Sequence, residues 1–316
     1  MRPPAPFEHR ARMVRPAVAI AFLLAACTSA PRGDRAADPA LLARVRAIVA
    51  ELGPGVRAGV WLSPPLGEPL LSLGADEPMP VASAIKAGYL VELFAALPAK
   101  LDEPLPGAAA VLGDAGHPAV AHFSAAQRTK AQQALGTASV RRIGEVMITG
   151  KGVDNTTYNI AANLVTAWAG GPAWLDAKLH ARDARWSGLR VRRYMLADRT
   201  TTGDNTATAR SLAAVHGDLA ARNVPGLDAA TVEAVRAVLA RPADTMGRRV
   251  FAKGGALDSD PVTRVEAGFR EGPDGALVHV VMLERQGVPP AERAEAGQQL
   301  GAAARRIEEL LLAGSR

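Results

Sequence analysis

Ser83 is followed three residues later by Lys86 in the segment Pro80-Val-Ala-Ser83-Ala-Ile-Lys86-Ala-Gly-Tyr-Leu90, and no other serine of the chain has a lysine at that offset. Residues three apart lie on one face of a helix, so the hydroxyl and the amine can touch. Lys86 is also the only charged residue between Glu77 and Glu92. An apolar helix desolvates a lone lysine and lowers its pKa towards that of a general base. The pair indicates an activated nucleophile for acyl transfer, or alternatively a helix cap beside a lysine that reaches solvent.

The composition excludes several classes of function. The 316-residue chain has a net charge of +6, but without its first 26 residues it holds 33 basic and 30 acidic residues, a balance of +3. Charges this even and this interspersed, with only three tyrosines, do not favour a nucleic-acid partner. The six histidines form no close pair and the chain has one cysteine, so neither a metal nor another cofactor is expected.

The N-terminus is typical of an export signal over residues 1–26. A basic segment precedes the apolar run Ala17-Val-Ala-Ile-Ala-Phe-Leu-Leu-Ala-Ala26, which is too short to span a bilayer. Both Met1 and Met13 fit as the start, because a start at Met13 leaves a compact signal of the usual layout. We therefore expect an exported protein of about 290 residues, which is enough for one large domain or two interleaved lobes.

Leu24-Ala-Ala-Cys27 resembles the lipobox of bacterial lipoproteins, in which the cysteine becomes the lipidated N-terminus after cleavage. The resemblance implies a lipid anchor on Cys27, a polar tether over residues 27–38 and a location on the membrane, facing the periplasm or cell envelope. The alternative is an ordinary signal peptide with a bystander cysteine. Because Cys27 is the only cysteine, the exported protein is expected to have no internal disulfide.

Strand patterns occur in two groups that lie far apart in the sequence. They are predicted at residues 57–62 and 70–73, and again at 248–252, 262–269 and 277–283. Helical spacing marks the Ser83 segment and residues 41–52, 139–148, 156–169, 206–221, 229–240 and about 290–312. We therefore expect an α/β (α+β) fold: a five-stranded antiparallel sheet flanked by the terminal helices, with an inserted all-α lobe. The domain is expected to span residues 39–313, with the α/β lobe at 39–97 and 246–313 and the all-α lobe at 98–245.

Two further segments carry unusual polar residues. Lys253, in Phe251-Ala-Lys253-Gly-Gly-Ala256, lies at a predicted strand end before two glycines, which allow close approach to the backbone. Its alternative interpretation is a β-bulge with an exposed lysine. Asn155, Asn159 and Asn163 recur every four residues and share one helix face. Asparagine is a poor helix former and a buried row needs partners; the alternative is a cap followed by solvated side chains.

These motifs resemble those of the class A β-lactamases and penicillin-binding proteins. Ser83-x-x-Lys86, the asparagine helix and Lys253-Gly-Gly255 follow the order and approximate spacing of the family's Ser-x-x-Lys, Ser-Asp-Asn and Lys-Thr/Ser-Gly motifs. Gly170-Gly-Pro172 and Asn205-Thr-Ala-Thr-Ala209 add to the likeness. The resemblance covers residues 40–313 and implies the β-lactamase-like fold, with Ser83 in the cleft between the lobes.

The resemblance also implies roles in acylation. Ser83 is the nucleophile that becomes acylated, and Lys86 is its proton acceptor or part of its proton relay. The backbone N–H groups of Ser83 and Ala256 form the oxyanion hole, which stabilises the charge that develops on the carbonyl oxygen.

A substrate carboxylate is implied to bind on the returning strands. Lys253 supplies positive potential for it, Gly254 and Gly255 line the substrate site, and Arg264 lies close to where the family often carries a carboxylate-binding arginine. Gly254 stands where the family has threonine or serine, so one substrate hydrogen bond is expected to be missing.

The middle motif fits the sequence in two registers. Val153-Asp154-Asn155 keeps the Asp-Asn pair and loses the hydroxyl, whereas Thr157-Tyr158-Asn159 keeps a hydroxyl and the spacing to Asn163. The second register places the extra residues in a loop, and loops absorb insertions more easily than helices. Thr157 and Asn159 are therefore the predicted catalytic residues of this motif.

The deacylating glutamate of the family's β-lactamases has no counterpart in the sequence. No glutamate occurs between Glu145 and Glu233. Asp198 is the only acid near the expected place and has a shorter side chain; its alternative interpretation is a loop or capping carboxylate. Penicillin-binding proteins manage without this glutamate.

We therefore expect a serine hydrolase that attacks β-lactams or D-Ala-D-Ala-like amides, such as peptidoglycan stem peptides, through an acyl-enzyme. Two alternatives stay open. One is a D-Ala-D-Ala carboxypeptidase or slow penicillin-binding protein that acylates but barely deacylates, and the other is a non-catalytic binding protein that retains the fold. The expected partners are the small-molecule substrate and, through the lipid anchor, the membrane; a monomer is expected.

Overall fold

The computed structural model describes residues 33–313. The predicted export signal, its start and the predicted lipidation site at Cys27 lie outside the described residues. The strands are β1 (Arg35–Ala36), β2 (Val56–Ser63), β3 (Leu71–Leu73), β4 (Met79–Pro80), β5 (Thr206–Ala207), β6 (Ala240–Arg241), β7 (Arg249–Ala252), β8 (Gly255–Leu257), β9 (Val262–Gly272) and β10 (Gly275–Arg285). The α-helices are α1 (Pro39–Glu51), α2 (Lys86–Ala96), α3 (Ala108–Gly113), α4 (Ala125–Leu135), α5 (Val140–Thr149), α6 (Asn155–Trp168), α7 (Pro172–Arg182), α8 (Arg199–Thr202), α9 (Ala209–Ala220), α10 (Ala229–Leu239) and α11 (Arg293–Ala313).

An antiparallel sheet has the strand order β1-β3-β2-β10-β9-β7-β6, with β8 also paired to β9. The five predicted strands, β2, β3, β7, β9 and β10, form its main part, and three strands of two or three residues extend it to eight. None of these three additional strands shows an alternation of period 2 by which the sequence would reveal it. Two of these short strands, β6 and β8, lie beside the predicted site.

Residues 34–38, the last part of the predicted tether, are bound to the folded domain. Arg35 pairs with Ser72 across β1 and β3, and the Asp34 carboxylate accepts hydrogen bonds from the Gly74 N–H and the Arg46 guanidinium. From residue 34 onwards the chain is therefore bound to the edge of the sheet, and Asp38 already caps α1.

Two apolar cores cover the two faces of the sheet. On one face α1 and α11 contribute residues such as Val45, Leu300 and Ile307, and on the other face lies the helical part of the chain. Residues 86–94 of α2 are buried all round, as expected of a helix in the middle of a core. In the described part of the chain, no helix is long and apolar enough to cross a bilayer.

The predicted helices begin at capping side chains. Ser139, Asp154, Thr208 and Asp228 each accept a hydrogen bond from an N–H of the first turn, which satisfies part of the unpaired helix end. The helix predicted from residue 206 begins only after Thr208, because residues 206–207 pair with β4 as β5. This pairing ties the end of the loop over residues 187–205 to the segment just before Ser83.

Candidate active site

Ser83 lies in a short 3-10 turn, Ala82–Ile85, that leads directly into α2. Ala82 has φ +49°, a left-handed conformation that non-glycine residues seldom adopt. Such strained residues cluster at functional sites, where the surrounding structure holds them in place. The turn thus presents Ser83 at the start of a rigid, buried helix.

Lys86 is the first residue of α2 and is fully buried. Its Nζ donates a hydrogen bond to Asn159 Oδ1 (3.0 Å) and lies 3.3 Å from the centroid of the Tyr158 ring. Burial, and then the charge of Lys253, lower the pKa of Lys86 well below its usual range. Within residues 33–313 no hydrogen bond joins Lys86 to Ser83; the Lys86 amine is bound to Asn159 instead.

The asparagine row is partnered rather than solvated. Asn159 Nδ2 donates to the Asn155 carbonyl (2.8 Å) and to Asn155 Oδ1 (3.2 Å), so Asn159 Oδ1 is turned towards Lys86. Asn163 is fully buried and donates to the carbonyls of Ala119 and Met195. Asn159 therefore holds the buried Lys86, and Asn163 holds the loop segment that contains Met195.

Thr157 is not brought to Ser83, contrary to the predicted role of its hydroxyl. The helix begins at Asn155 instead of after a longer loop, so Thr157 lies at the third helical position and turns back to the capping Asp154. Its N–H donates to Asp154 Oδ1 (2.7 Å). Lys130, followed by the N–H and the hydroxyl of Thr157, lowers the pKa of Asp154 to about 2.

Tyr158 is the half-buried neighbour of Asn159 on α6, and no role was predicted for it from the sequence. Its phenol makes a polar contact with the Ser83 side chain, which lowers the pKa of the phenol, whereas burial, the larger effect, raises it. The only signal in the sequence is a phenol inside the motif next to Asn159. The residue at which α6 begins decides which of its side chains face Ser83.

Lys253 lies between β7 and β8 without a bulge. Ala252 is opposite Gly268 and Gly255 is opposite Val265 on β9, so the register is continuous and the bulge interpretation is wrong. Lys253 is only 8% exposed, and its Nζ donates to the Gly254 carbonyl (3.0 Å). Burial, and then the Arg241 guanidinium, lower its pKa to about 8.

Gly255 allows β8 to lie directly against the Ser83 turn. A Cβ at Gly255 would lie 2.7 Å from the Val81 carbonyl oxygen and 2.9 Å from the Ser83 nitrogen. No side chain fits such a gap, so glycine is required for this contact. A Cβ at Gly254 would instead approach Glu266 Oε2 (3.0 Å), away from the Ser83 turn.

Arg264 does not reach the site, and its predicted role in carboxylate binding is wrong. Its guanidinium donates to Asp258 Oδ1 (2.5 Å) and to the Leu257 carbonyl (3.1 Å), and lies against Gly297 of α11. Successive side chains of a strand point to opposite faces. Because Val265 faces the helical core, Arg264 must face α11.

Arg241 of β6 lies near Lys253 and Tyr158. Its charge is the second cause, after burial, of the lowered pKa of Lys253, and it opposes the rise that burial causes in the pKa of Tyr158. Lys253 Nζ lies 5.3 Å from the Tyr158 ring centroid. Tyr158 is therefore surrounded by three basic side chains, those of Lys86, Lys253 and Arg241.

The loop over residues 187–205 forms the other wall of the cleft. Asn163 holds it through both backbone groups of Met195: the Met195 N–H donates to Asn163 Oδ1 (2.6 Å), and the Met195 carbonyl accepts from Asn163 Nδ2 (3.1 Å). Asn205 Oδ1 accepts the N–H groups of Arg192 and Arg193. The loop residue held against the asparagine helix is thus an apolar one.

The cleft has a volume of about 120 Å³ and is lined by residues of the turn, the asparagine helix, the loop and β8. Its lining includes Ser83, Asn155, Asn159, Arg193, Met195, Leu196, Asp204, Asn205 and Ala256. Asp204, the one acid among the described lining residues, is bound by Arg193 (2.6 Å) and Arg199 (3.0 Å). Asp198 is exposed and caps α8 through Thr200, so it does not line the cleft. No carboxylate of the described cleft is free to act as a base.

Comparison with solved structures identifies the fold. A β-lactamase from Chitinophaga pinensis shares 16% identity with a TM-score of 0.62, covering 88% of this chain and all of that one. A class A β-lactamase of the last common ancestor of Gram-negative bacteria shares 20% identity with a TM-score of 0.62 over 88% of this chain and all of the other. The chain has the β-lactamase fold, and the fold predicted from the motifs is confirmed.

A third solved structure is a single-residue mutant of PBP-A, captured as an acyl-enzyme complex with penicillin G. It shares 20% identity with a TM-score of 0.59, covering 88% of this chain and 99% of that one. No protein-family model matches the chain, and no curated protein matches it. In residues 33–313, no group of three or more potential ligands could hold a metal ion.

Proposed function

We propose that the protein is a serine acyltransferase of the penicillin-binding type, in which β-lactams or D-Ala-D-Ala-like amides acylate Ser83 and the acyl-enzyme is hydrolysed slowly. The observation that carries this proposal is the buried Lys86. Its pKa is lowered, Asn159 orients it, and it lies one turn from a serine that lines a cleft. A desolvated amine beside a hydroxyl is a recurrent way to activate a nucleophile.

The remaining acylation machinery is supported by β8. Gly255 brings this strand against the Ser83 turn, and Ala256 and Ser83 line the same cleft. We propose that their N–H groups form the oxyanion hole. Lys253, with a pKa of about 8, is largely protonated at neutral pH and is proposed to bind the substrate carboxylate.

Slow deacylation is proposed because the loop offers no base. The loop residue that Asn163 binds is Met195, whose side chain is apolar. The acid of the described cleft lining, Asp204, is bound by two arginines. A water molecule in this cleft therefore lacks a carboxylate that could take its proton. This favours the penicillin-binding reaction over rapid β-lactam hydrolysis. Export and lipidation at Cys27 remain proposals that rest on the N-terminal sequence.

The test is the mass of the protein after exposure to penicillin. We expect a gain of one penicillin mass that persists, and no gain in Ser83→Ala. Lys86→Arg is expected to suppress the adduct although the charge is retained, because arginine cannot act as a base at neutral pH. Circular dichroism confirms that each variant is folded.

The other outcomes separate the alternatives. Rapid conversion of penicillin without an accumulating adduct would identify a β-lactamase. An unchanged mass in the folded wild-type protein would support the non-catalytic binding protein. Labelling that persists in Ser83→Ala would exclude Ser83 as the nucleophile.

A further inference from the structure

We propose that Leu196 is a specificity-determining residue, and that the site prefers amides whose acyl part carries an apolar alkyl or aryl group. The Leu196 side chain packs against that group during acylation and removes it from water. This inference rests on the proposed function and deepens it, because it names the class of substrate that acylates Ser83.

Leu196 is an apolar side chain that lies uncovered at the cleft. It lines the cleft together with Ser83, and it is 52% exposed. The other large hydrophobic residues that are exposed within residues 33–313, Leu66, Trp174 and Met246, lie outside the cleft lining. A single exposed leucine is ordinary on a protein surface, but ligand sites place apolar side chains where a ligand covers them.

A tight turn holds Leu196 in an unusual backbone conformation. The Ala197 N–H donates to the Tyr194 carbonyl (3.2 Å), and Leu196, the third residue of this turn, has φ +63°. This position favours glycine or asparagine, because most other side chains are strained there. Leu66 has the same conformation, with φ +56°, in a turn outside the cleft lining. The position of Leu196 at the cleft, together with this conformation, therefore distinguishes it.

The backbone on both sides of Leu196 is bound to the rest of the protein. Asn163 binds the N–H of Met195 (2.6 Å) and its carbonyl (3.1 Å). After Leu196, the Ala197 carbonyl accepts a hydrogen bond from the Arg193 guanidinium (2.7 Å). Leu196 is therefore held at the cleft before a substrate binds, and a contact made by a pre-organised loop loses little conformational entropy on binding.

The polar side chains beside Leu196 are already bound within the protein. Asp204 is bound by two arginines, and Asn205 Oδ1 accepts two backbone N–H groups of the loop. Leu196 and Leu257, which line the same cleft, offer only apolar surface. An apolar acyl group gains free energy by covering these leucines, whereas a charged one would lose its hydration there.

The proposed role of Lys253 directs the acyl part of the substrate towards Leu196. β-Lactams and D-Ala-D-Ala-like amides carry their carboxylate on the side of the leaving nitrogen, and Lys253 is the proposed binder of that carboxylate. From Lys253 the chain runs along β8 to Leu257. The loop meets it just beyond, where the Arg199 side chain donates to the Asp260 carbonyl. The leaving group therefore lies at the Lys253 end of β8, and the acyl group lies at the other end, beside Leu257 and Leu196.

The test measures how much a phenyl ring on the acyl group accelerates acylation. The probes are phenylacetyl penicillin and its acetyl analogue, which lacks only the phenyl ring, and the rate of adduct formation is followed by mass spectrometry. We expect the wild-type protein to react faster with the phenylacetyl probe. In Leu196→Asn, whose new side chain suits a positive φ, this preference is expected to fall about tenfold, the lower end of the range for an apolar contact. The rate with the acetyl probe is expected to stay nearly unchanged.

Two further variants serve as controls. Leu196→Met keeps an apolar side chain at the cleft and is expected to keep the preference for the phenyl ring. Leu66→Asn makes the same change at an exposed leucine of the same backbone conformation outside the cleft lining, and it should behave as the wild-type protein does. Circular dichroism confirms that each variant is folded.

The remaining outcomes separate this inference from the proposed function. Equal rates with the two probes in the wild-type protein, or an unchanged preference in folded Leu196→Asn, would overturn the inference alone, since Ser83 is still acylated. Equal slowing with both probes in Leu196→Asn would also overturn it, by showing that Leu196 only shapes the loop. No adduct with either probe in the wild-type protein would overturn the proposed function together with the inference.

Discussion

The two walls of the cleft differ in what they offer to a reaction. The turn and β8 bring the Ser83 backbone against Gly255, and the buried Lys86 begins the helix that follows the turn, which is what the proposed formation of an acyl-enzyme needs. The opposite wall, the loop over residues 187–205, is held just as firmly by Asn163 but presents Met195. Under the proposed function, acylation and deacylation depend on separate elements of the fold, so one can be lost without disturbing the other.

The largest effect is expected from giving the loop wall a base. Met195→Glu places a carboxylate where Asn163 fixes the backbone, so we expect hydrolysis of the acyl-enzyme to accelerate by about 10²–10⁴-fold, the range for a general base. The measurement is the rate at which the penicillin adduct decays in the mass spectrum. Met246→Glu, at a half-exposed methionine outside the cleft lining, is the control and should leave the decay unchanged. An equally long-lived adduct in folded Met195→Glu would show that more than a carboxylate is missing.

A smaller effect is expected from disturbing the acylating wall. In Gly255→Ala the new methyl group would lie within 3 Å of the Val81 carbonyl and the Ser83 nitrogen, so β8 and the turn must separate. Misplacing one oxyanion donor costs about 10²–10³-fold in rate, and we expect a loss of this size in the rate of penicillin acylation. Gly113→Ala, where a methyl group meets open space, is the control. Wild-type acylation by Gly255→Ala would disprove the proposed role of this contact.

The smallest effect is expected in the pH dependence of acylation. The pKa of Lys253 is about 8 because burial, and then Arg241, disfavour its charge. Acylation by penicillin should therefore fall, by at most about tenfold per pH unit, as the pH rises above 8 and Lys253 loses its proton. Lys253→Arg should remove this fall because arginine stays charged. A rate–pH profile of both proteins is the measurement, and identical profiles would contradict a binding role for the Lys253 charge.

The loss of rate at high pH can be told apart from unfolding. Lys253 has a lower pKa in the folded protein than in the unfolded chain, so between pH 8 and about 10.4 the unfolded chain binds more of this proton. The contribution of Lys253 to stability therefore rises with pH in this range while binding of a carboxylate weakens.

Much of the fold could be predicted from the sequence, because its strands and helices carry clear periods and caps. The five main strands were predicted, whereas β6 and β8 have two or three residues and show no pattern. These two strands carry residues of the site, because Arg241 lies on β6 and Ala256 lies on β8. Without them the sequence did not predict how these residues are placed.

The errors at the site share one physical cause. Arg264 was expected in the cleft, but both faces of the sheet are covered by helices, so the alternation along β9 does not reveal which face is which. Thr157 was expected at Ser83, but the start of α6 rotates Tyr158 there instead. In each case a shift of one residue along a strand or helix exchanges the side chain that faces the site.

The sequence by itself determined the Ser83–Lys86 pair and the order of the motifs, because helical spacing and glycine positions act locally. The β-lactamase fold was implied by the resemblance of these motifs to a known family. Only the tertiary structure decided that Lys86 is held by Asn159, that Tyr158 meets Ser83 and that Met195 forms the loop wall. These contacts join residues that are far apart in the sequence, or depend on where an element begins, and no local pattern encodes either.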